Sequence, residues 1–282
     1  MSHDKEKIAV FGQGIIGSRC AARLSEADYD VITWNRTPKP DTIHPAATPA
    51  EAAEDAGVLL FYLKDGIALR EVVEVMRAQL RPDHVLINHS TVDLDTTHWL
   101  AKLCEEVGCG FLDSPFTGSK VAADQGQLVY YVGGDPVLIE RMSTIMEVTS
   151  KEVHHFGKVG DATIIKIVTN LISAATVQAL AEAQAITTRL GLPASLLTEA
   201  VASNACGSPL AAMKLKSMAE GDFETHFSLE NMRKDSELAK QLASLSKTRT
   251  PATDTTYECL ERLCQAGHGD LDYGALAKAF DR

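Results

Sequence analysis

The stretch Ile8-Ala9-Val10-Phe11-Gly12-Gln13-Gly14-Ile15-Ile16-Gly17 places a short apolar run directly before three glycines in a G-x-G-x-x-G pattern. Residues 15–27 have the apolar spacing of a helix, so the sequence predicts strand, tight turn and helix in that order. In such a turn the first glycine permits the bend, the second lets the backbone approach a pyrophosphate, and the third lets the helix pack closely on the strand. Unpaired N–H groups at the helix N-terminus then favour an anion. The predicted dinucleotide-binding residues are Gly12, Gln13, Gly14, Ile15, Ile16 and Gly17.

Alternating strand and helix signals extend from Lys7 to about Gly160. Short β-branched runs alternate there with amphipathic stretches, which is typical of βαβ units in a parallel sheet. The predicted strands are Ile8–Phe11, Asp30–Trp34, Val58–Tyr62, Val85–Asn88, Gly110–Asp113 and Leu128–Val132. Residues 1–160 are therefore predicted to form a Rossmann domain of the α/β class, built on a doubly wound parallel sheet.

The pattern changes after Gly160, where no convincing strand follows. Residues 161–190 are apolar around nearly their whole circumference, which indicates a helix buried between two domains. Gly191 and Pro193 mark the end of this helix. The sequence thus predicts an all-α C-terminal domain over 161–282 for substrate binding and oligomerisation, with 161–190 as the long interdomain helix.

The overall charge argues against several classes of partner. A formal net charge of −11 would repel a phosphate backbone, so no nucleic-acid partner is expected. Charges interrupt the longest apolar stretches short of the roughly 20 residues that a membrane-spanning helix needs. The segment 1–7 is charged where a signal peptide would be apolar. We therefore expect a cytoplasmic protein with no membrane partner.

The six cysteines include no C-x-x-C pair. In a chain of this length they predict neither a disulfide framework nor a zinc site, because the closest pairs lack the spacing of common zinc ligands. No metal is expected.

The end of the second predicted strand distinguishes the two nicotinamide cofactors. An NAD enzyme usually has a carboxylate there that binds the ribose hydroxyls. This chain has Trp34-Asn35-Arg36-Thr37 instead, with no acid to repel a 2′-phosphate. The planar guanidinium of Arg36 suits that phosphate, and Asn35 and Thr37 can add hydrogen bonds. We predict NADP(H) as the cofactor; the alternative is that Arg36 is an exposed loop residue without a ligand.

Lys166 lies inside the most apolar helix of the chain, and Asn170 follows one turn later on the same face. A lysine among isoleucines and valines must either extend its ammonium outward or face a polar cleft. In a cleft, the ammonium could protonate a carbonyl oxygen as hydride arrives at the carbon, while the amide orients lysine and substrate. From spacing alone, a structural lysine at a domain boundary is the alternative.

The run 157–166, G-K-V-G-D-A-T-I-I-K, with Asn170, resembles the G-x-x-G-x-G-x-x-x-K-x-x-N-N signature of the β-hydroxyacid dehydrogenase family. Three further motifs agree in order. The glycine turn at 12–17 matches the family's N-terminal motif, and the loop 111–120, F-L-D-S-P-F-T-G-S-K, resembles its D-A-P-V-S-G-G substrate loop. Lys234-Asp235 with Leu238-Ala239 is similar to its K-D-x-x-L-A motif. The resemblance covers essentially the whole chain.

The resemblance implies roles for individual residues. Lys166 would be the catalytic general acid and Asn170 its support. The substrate carboxylate would be held by Thr117, Gly118 and Ser119. Thr91, in a loop similar to the family's S-T-V segment, would lie by the nicotinamide, and Phe227 and Lys234 would close the cofactor site from the helical domain.

The chain departs from the family pattern at three positions. Ala162 replaces a signature glycine and Thr169 replaces the first asparagine, both beside the catalytic pair. Thr117 replaces the usual serine of the substrate loop, where its extra methyl group would narrow the pocket.

The loop T-G-S-K, the turn W-N-R-T and the run 269–273 (G-D-L-D-Y) look most like the glyoxylate and succinic semialdehyde reductases. This implies an NADPH-dependent reduction of a small aldehyde acid to a hydroxy acid by a homodimer or homotetramer. Alternatives are a 3-hydroxyisobutyrate or tartronate semialdehyde type of dehydrogenase and a noncatalytic NADP-binding interaction module. A further alternative is an imine reductase-like enzyme, against which Lys166 counts.

Overall fold

The structure, a computed structural model, describes residues 6–40 and 42–281. The chain divides into two compact units, one ending at Lys166 and the other beginning at Ile167. The sequence placed this division slightly earlier, at 160. Most of the charged segment 1–7 lies outside the described residues.

The first unit is built on a five-stranded parallel sheet with strand order β2-β1-β3-β4-β5. Its strands are β1 (Ile8–Phe11), β2 (Val31–Trp34), β3 (Val58–Phe61), β4 (Val85–Asn88) and β5 (Gly110–Asp113). The register pairs Phe11 with both Trp34 and Phe61. Because all five strands run in the same direction, their carboxyl ends meet at one edge, where α/β folds bind ligands.

A second, three-stranded sheet accompanies the first. It consists of β6 (Phe116–Thr117), β7 (Leu128–Val132) and β8 (Ser150–His155), with β7 antiparallel to β6 and parallel to β8. The sequence predicted β7 as a strand but as part of the single parallel sheet, and that assignment is wrong. The strands β6 and β8 were not predicted, because β6 has only two residues and β8, S-K-E-V-H-H, is mostly polar and exposed.

Helices cover both faces of the parallel sheet, as the Rossmann prediction requires. They are α1 (Gly17–Glu26), α2 (Pro49–Asp55), α3 (Gly66–Met76), α4 (Leu94–Val107), α5 (Lys120–Asp124) and α6 (Pro136–Thr149), with a short 3₁₀ turn at Arg77–Gln79. One core packs α1, α5 and α6 on the side of Ile8 and Val10. The other packs α2, α3 and α4 on the side of Ala9 and Phe11. Alternating residues of each strand thus serve opposite layers.

The second unit is helical, as predicted, and its described residues form no strand. Its helices are the part of α7 (Asp161–Arg189) from Ile167 onward, α8 (Ala194–Ala202), α9 (Pro209–Glu220), α10 (Leu229–Ser246) and α11 (Pro251–Leu263). A π-helical segment at Cys264–His268 and a 3₁₀ segment at Tyr273–Phe280 follow. Its largest core is formed by apolar residues of α7, α9, α10, α11 and the last segment.

Helix α7 is observed over almost all of the predicted range 161–190. Gly191, with φ 83°, follows its end and donates to the Thr188 carbonyl at 3.0 Å, so the predicted stop is correct. The sequence predicted that charges interrupt every apolar stretch short of a membrane-spanning length, but α7 contains an 18-residue window with at most two charged residues. By length and composition alone it could cross a membrane, a property that core helices of soluble proteins share.

Candidate active site

The three glycines of the turn after β1 have different surroundings. Gly12 has φ 98°, and a Cβ on it would lie 2.3 Å from the carbonyl oxygen of Tyr62. A Cβ on Gly17 would lie 2.0 Å from the carbonyl oxygen of Gly12. Around Gly14, by contrast, nothing lies within 4 Å of that position. Packing within the first unit therefore requires the first and third glycines, whereas the second leaves open space.

The helix that follows this turn begins without a side-chain cap. Its N-cap residue is Ile16, and its first turn contains no acidic residue. A helix start of this kind favours an anion through its N–H groups and dipole. Together with the space beside Gly14, this makes the turn fit the pyrophosphate of a dinucleotide.

The residues after β2 adjoin the glycine turn. The Asn35 side chain accepts a hydrogen bond from the backbone N–H of Gln13 at 2.9 Å and donates to the Thr37 carbonyl at 2.7 Å. Lys39, which the sequence analysis did not select, donates to the Gln13 carbonyl at 2.6 Å. This places a second cation beside the turn. Lys39 could have been found from its position three residues after Arg36.

Arg36 is exposed and forms an ion pair with Glu71 on α3. The two side chains hydrogen-bond through a guanidinium nitrogen and a carboxylate oxygen. Arg36 is therefore accessible to a phosphate, but a carboxylate is its partner in this structure.

The loop after β4 is supported by a buried polar and aromatic cluster. Ser90 accepts a hydrogen bond from the Leu63 N–H at 2.8 Å. The His89 ring stacks on Tyr62, with the ring centroids 4.6 Å apart, and its Nδ1 lies 2.7 Å from the Ser114 carbonyl. Burial lowers the pKa of His89 to about 3, so it is neutral at ordinary pH. Thr91, at the end of this loop, is half-buried.

The three predicted substrate-loop residues lie at the end of β6 and immediately before α5. Thr117 pairs with Val129 across β6 and β7. Gly118 has φ 142°, and a Cβ on it would meet Leu128 at 2.7 Å. The Ser119 hydroxyl accepts from the Ala122 N–H at 3.2 Å and caps α5. The structure thus gives Gly118 and Ser119 roles in shaping the loop.

Asp113, at the carboxyl end of β5, fixes the start of α7. Its buried carboxylate accepts hydrogen bonds from the Gly160 N–H at 3.1 Å, the Thr163 N–H at 2.9 Å and the Thr163 hydroxyl at 2.8 Å. Burial raises the pKa of Asp113 to about 6, although the hydrogen bonds from these donors lower it. Lys166 follows Thr163 by three residues, so Asp113 positions the turn that carries it.

Lys166 is buried, with 8% of its surface exposed, and lies one helical turn before Asn170 on α7. It is therefore not a solvated surface lysine. The spacing of four residues on a helix is expected to place the two side chains on one face.

In the second unit, Asn170 and Lys234 meet the same carboxylate. The Asn170 amide nitrogen donates to one oxygen of Asp235 at 2.5 Å. The Lys234 ammonium lies 2.8 Å from the other oxygen, and the Asp235 side chain is only 2% exposed. Asp235 thus orients the Asn170 amide. Asp235 lies within the K-D-x-x-L-A motif, but the sequence alone predicted no role for it.

The turn that carries Phe227 is held by Asp272. This carboxylate accepts from the backbone N–H groups of His226 and Phe227 at 3.3 and 3.1 Å. It also pairs with the Lys214 ammonium at 2.5 Å, and both side chains are 2% exposed. The Phe227 ring packs edge-on against Tyr273. The Asp272–Lys214 ion pair therefore fixes the turn that leads into α10, the helix that carries Lys234.

The doubly wound sheet, the glycine turn with space for a pyrophosphate and the helical second unit define a nicotinamide-dependent oxidoreductase. A family model described as "NAD binding domain of 6-phosphogluconate dehydrogenase" matches residues 7–157. Another, described as "NAD-binding of NADP-dependent 3-hydroxyisobutyrate dehydrogenase", matches residues 160–280. The chain belongs to the β-hydroxyacid dehydrogenase family, as the sequence motifs implied.

Individual proteins agree with this assignment. The chain is similar to glyoxylate/succinic semialdehyde reductase 2, chloroplastic, of Arabidopsis thaliana, with 28% identity over 96% of this chain and 78% of that protein. It is 26% identical to the cytokine-like nuclear factor N-PAC of Mus musculus over 98% of this chain, which spans about half (51%) of that relative. A Mycobacterium tuberculosis 3-hydroxyisobutyrate dehydrogenase structure has the same fold, with a TM-score of 0.90 at 24% identity, covering 99% of this chain and 100% of that one.

Proposed function

We propose that this protein is an NADPH-dependent reductase of small aldehyde acids, with glyoxylate and succinic semialdehyde as the leading substrates and Lys166 as the general acid. The proposal rests mainly on one observation: Lys166 is a buried lysine at the start of α7, one turn before Asn170. Burying a lysine costs solvation energy that an apolar side chain would not, and Lys166 occupies the position of the catalytic lysine in the family signature, so the burial supports a chemical role.

The proposed chemistry divides between cofactor and protein. The reduced nicotinamide, when bound, supplies the hydride. Lys166 donates a proton to the carbonyl oxygen, which would otherwise gain negative charge in a site of low polarity. Asn170, whose amide nitrogen is engaged by Asp235, has its amide oxygen oriented to accept from the lysine or the substrate hydroxyl. The hydroxyls of Thr117 and Ser119 and the nearby backbone would bind the substrate carboxylate.

The preference for NADPH is supported by the cations after β2. Arg36 and Lys39 both follow this strand, and neither Asn35 nor Thr37 carries a negative charge to repel a 2′-phosphate. The family model that matches residues 160–280 is described by an NADP-dependent enzyme.

The substrate class is supported by the semialdehyde reductase relatives and by the T-G-S-K loop. A panel of two- to six-carbon semialdehydes and keto acids, with an imine as a control, would rank substrates by NADPH and NADH consumption. We expect the highest kcat/KM with NADPH and a short aldehyde acid. A higher kcat/KM for the imine would refute the substrate class.

Replacing Lys166 tests the proton donor. We expect Lys166→Ala to lower kcat about 10²- to 10⁴-fold, the usual contribution of a general acid, while NADPH still binds. Lys151→Ala, a change at a half-exposed lysine of β8, is the matched control and should leave kcat unchanged. Wild-type kcat in the Lys166 variant would exclude this lysine as the donor.

We also propose that the protein is a cytoplasmic homodimer or homotetramer. Three large apolar side chains in and just after α7 are mainly exposed: Ile172 (62%), Ile186 (62%) and Leu190 (77%). Contiguous exposed apolar patches are typical of association surfaces, and these three side chains are the support for the proposed assembly. Light scattering on the purified protein should give a mass of two or four chains, and a monomer mass would contradict the assembly.

A further inference from the structure

We propose that Glu71 sets the strength of the cofactor preference by competing with the 2′-phosphate of NADP(H) for Arg36. The inference rests on the proposed use of NADP(H) and adds to it a residue outside the W-N-R-T turn. Its ligand is the phosphate monoester on the adenosine ribose.

The competition follows from the pairing of Arg36. This guanidinium is the residue expected to bind the phosphate, yet in the structure it hydrogen-bonds to the Glu71 carboxylate. A carboxylate and a phosphate present similar oxygen acceptors to a guanidinium. Glu71 therefore engages a guanidinium nitrogen for which the phosphate would compete, and we expect binding of NADP(H) to displace this carboxylate.

The exposure of the pair makes the exchange feasible. The Arg36 and Glu71 side chains are 65% and 58% exposed. Ion pairs between exposed side chains are weak, so a phosphate with up to two negative charges can displace the carboxylate. After displacement, the anionic Glu71 still lies on the neighbouring helix α3 and repels the phosphate. Both effects weaken NADP(H) binding, and neither involves NAD(H), which lacks the phosphate.

The test measures dissociation constants for NADPH and NADH by fluorescence titration of the intact protein. We expect Glu71→Gln to tighten NADPH binding about two- to fivefold, in keeping with the small energy of an exposed ion pair, and to leave NADH binding unchanged. Adenosine 2′,5′-bisphosphate against 5′-AMP should show the same difference without the nicotinamide.

A matched control lies on the same helix. Glu74, three residues later, is half-exposed and pairs with Arg77 at 3.2 Å, so Glu74→Gln makes the same change in charge one turn away. We expect it to leave both dissociation constants within twofold of wild type. In an Arg36→Ala background, Glu71→Gln should lose most of its effect, because the shared partner is gone.

The outcomes separate this proposal from the one on which it rests. If wild-type protein binds NADH as tightly as NADPH, the cofactor assignment itself fails. If wild type prefers NADPH and Arg36→Ala removes the preference, but Glu71→Gln leaves NADPH binding unchanged or weakens it, the competition proposal is overturned. An equal gain for NADH, or from Glu74→Gln, would also overturn it by showing a general charge effect.

Discussion

The two units hold their candidate site residues by different means. In the first unit, the turn after β1 is held largely by backbone groups, with the Asn35 amide in support: the Gly12 N–H donates to the Trp34 carbonyl at 2.8 Å, and Gly12 packs against the Tyr62 carbonyl. In the second unit, buried carboxylates hold the turns and side chains of the candidate site. Asp272 holds the turn that carries Phe227, and Asp235 joins Asn170 to Lys234.

This difference follows from the secondary structure. A parallel sheet brings strand ends to one edge through its own hydrogen bonds, so the loops there start from fixed positions and are held mainly by backbone and neutral side-chain groups. A helical unit has no such ladder between its elements, and its connecting turns must find other partners for their N–H groups. The first site should therefore respond most to changes in backbone shape, and the second to changes in charge.

The largest effect is expected from Lys214→Met in the second unit. The substitution leaves the Asp272 carboxylate buried without its ammonium partner, which typically lowers the free energy of unfolding by about 3–5 kcal/mol. Urea denaturation should show this loss. Lys214→Met with Asp272→Asn should recover part of it, because no charge is then left unpaired. If the single variant were as stable as wild type, charge would not be what holds this unit's turn.

Asp113 is the exception in the first unit, since a buried carboxylate there is held by neutral donors. Its pKa rises from the ordinary 3.8 to about 6, so the folded chain binds this proton more tightly than the unfolded chain. This difference in pKa stabilises the folded state fully below pH 3.8, and the stabilisation is lost as the pH rises to about 6. Two pKa units correspond to about 3 kcal/mol.

Asp113→Asn should remove this pH dependence. An asparagine oxygen can still accept from the Gly160 and Thr163 N–H groups, and its amide can donate to the Thr163 hydroxyl. We expect the stability of the variant relative to wild type to rise between pH 4 and pH 6 and then level off in urea denaturation. Asp95→Asn, at an exposed carboxylate of α4, should show a much smaller change. A flat difference for Asp113 would mean that its carboxylate is as well solvated as an exposed one.

Gly12→Ala tests whether backbone shape holds the turn after β1. The methyl group would strike the Tyr62 carbonyl at a φ of 98°, and such strain costs about 1–3 kcal/mol or more. The thermal midpoint should fall, and dinucleotide binding should be lost with the geometry of the turn. An unchanged midpoint would show that the turn can shift to accept a side chain.

Gly14→Ala should have the smallest effect on stability. Its methyl group points into open space, so the thermal midpoint should stay near that of wild type. The same space is where a pyrophosphate would approach, and we expect cofactor binding on the order of tenfold weaker. Full affinity in this variant would contradict the placement of the pyrophosphate beside Gly14.

Much of the first unit could be predicted from local patterns. The five strands of the parallel sheet are short, mainly apolar runs, and the glycine spacing defines the turn. The short strand β6 and the polar strand β8 could not be predicted, because pairing with β7 forms them and their own side chains give no strand signal. Glu71 was missed for a similar reason, since only the fold brings it to Arg36.

The sequence by itself determined the two-part organisation, the dinucleotide turn and the family, because glycine conformations, hydrophobic periods and motif spacing are local properties. The tertiary structure alone decided which partners the buried charged groups meet. Asp113 with Thr163, Asp235 with Asn170, and Lys214 with Asp272 are separated by 50, 65 and 58 residues. Burial determines the strength of such contacts, and burial is known only once the chain has packed.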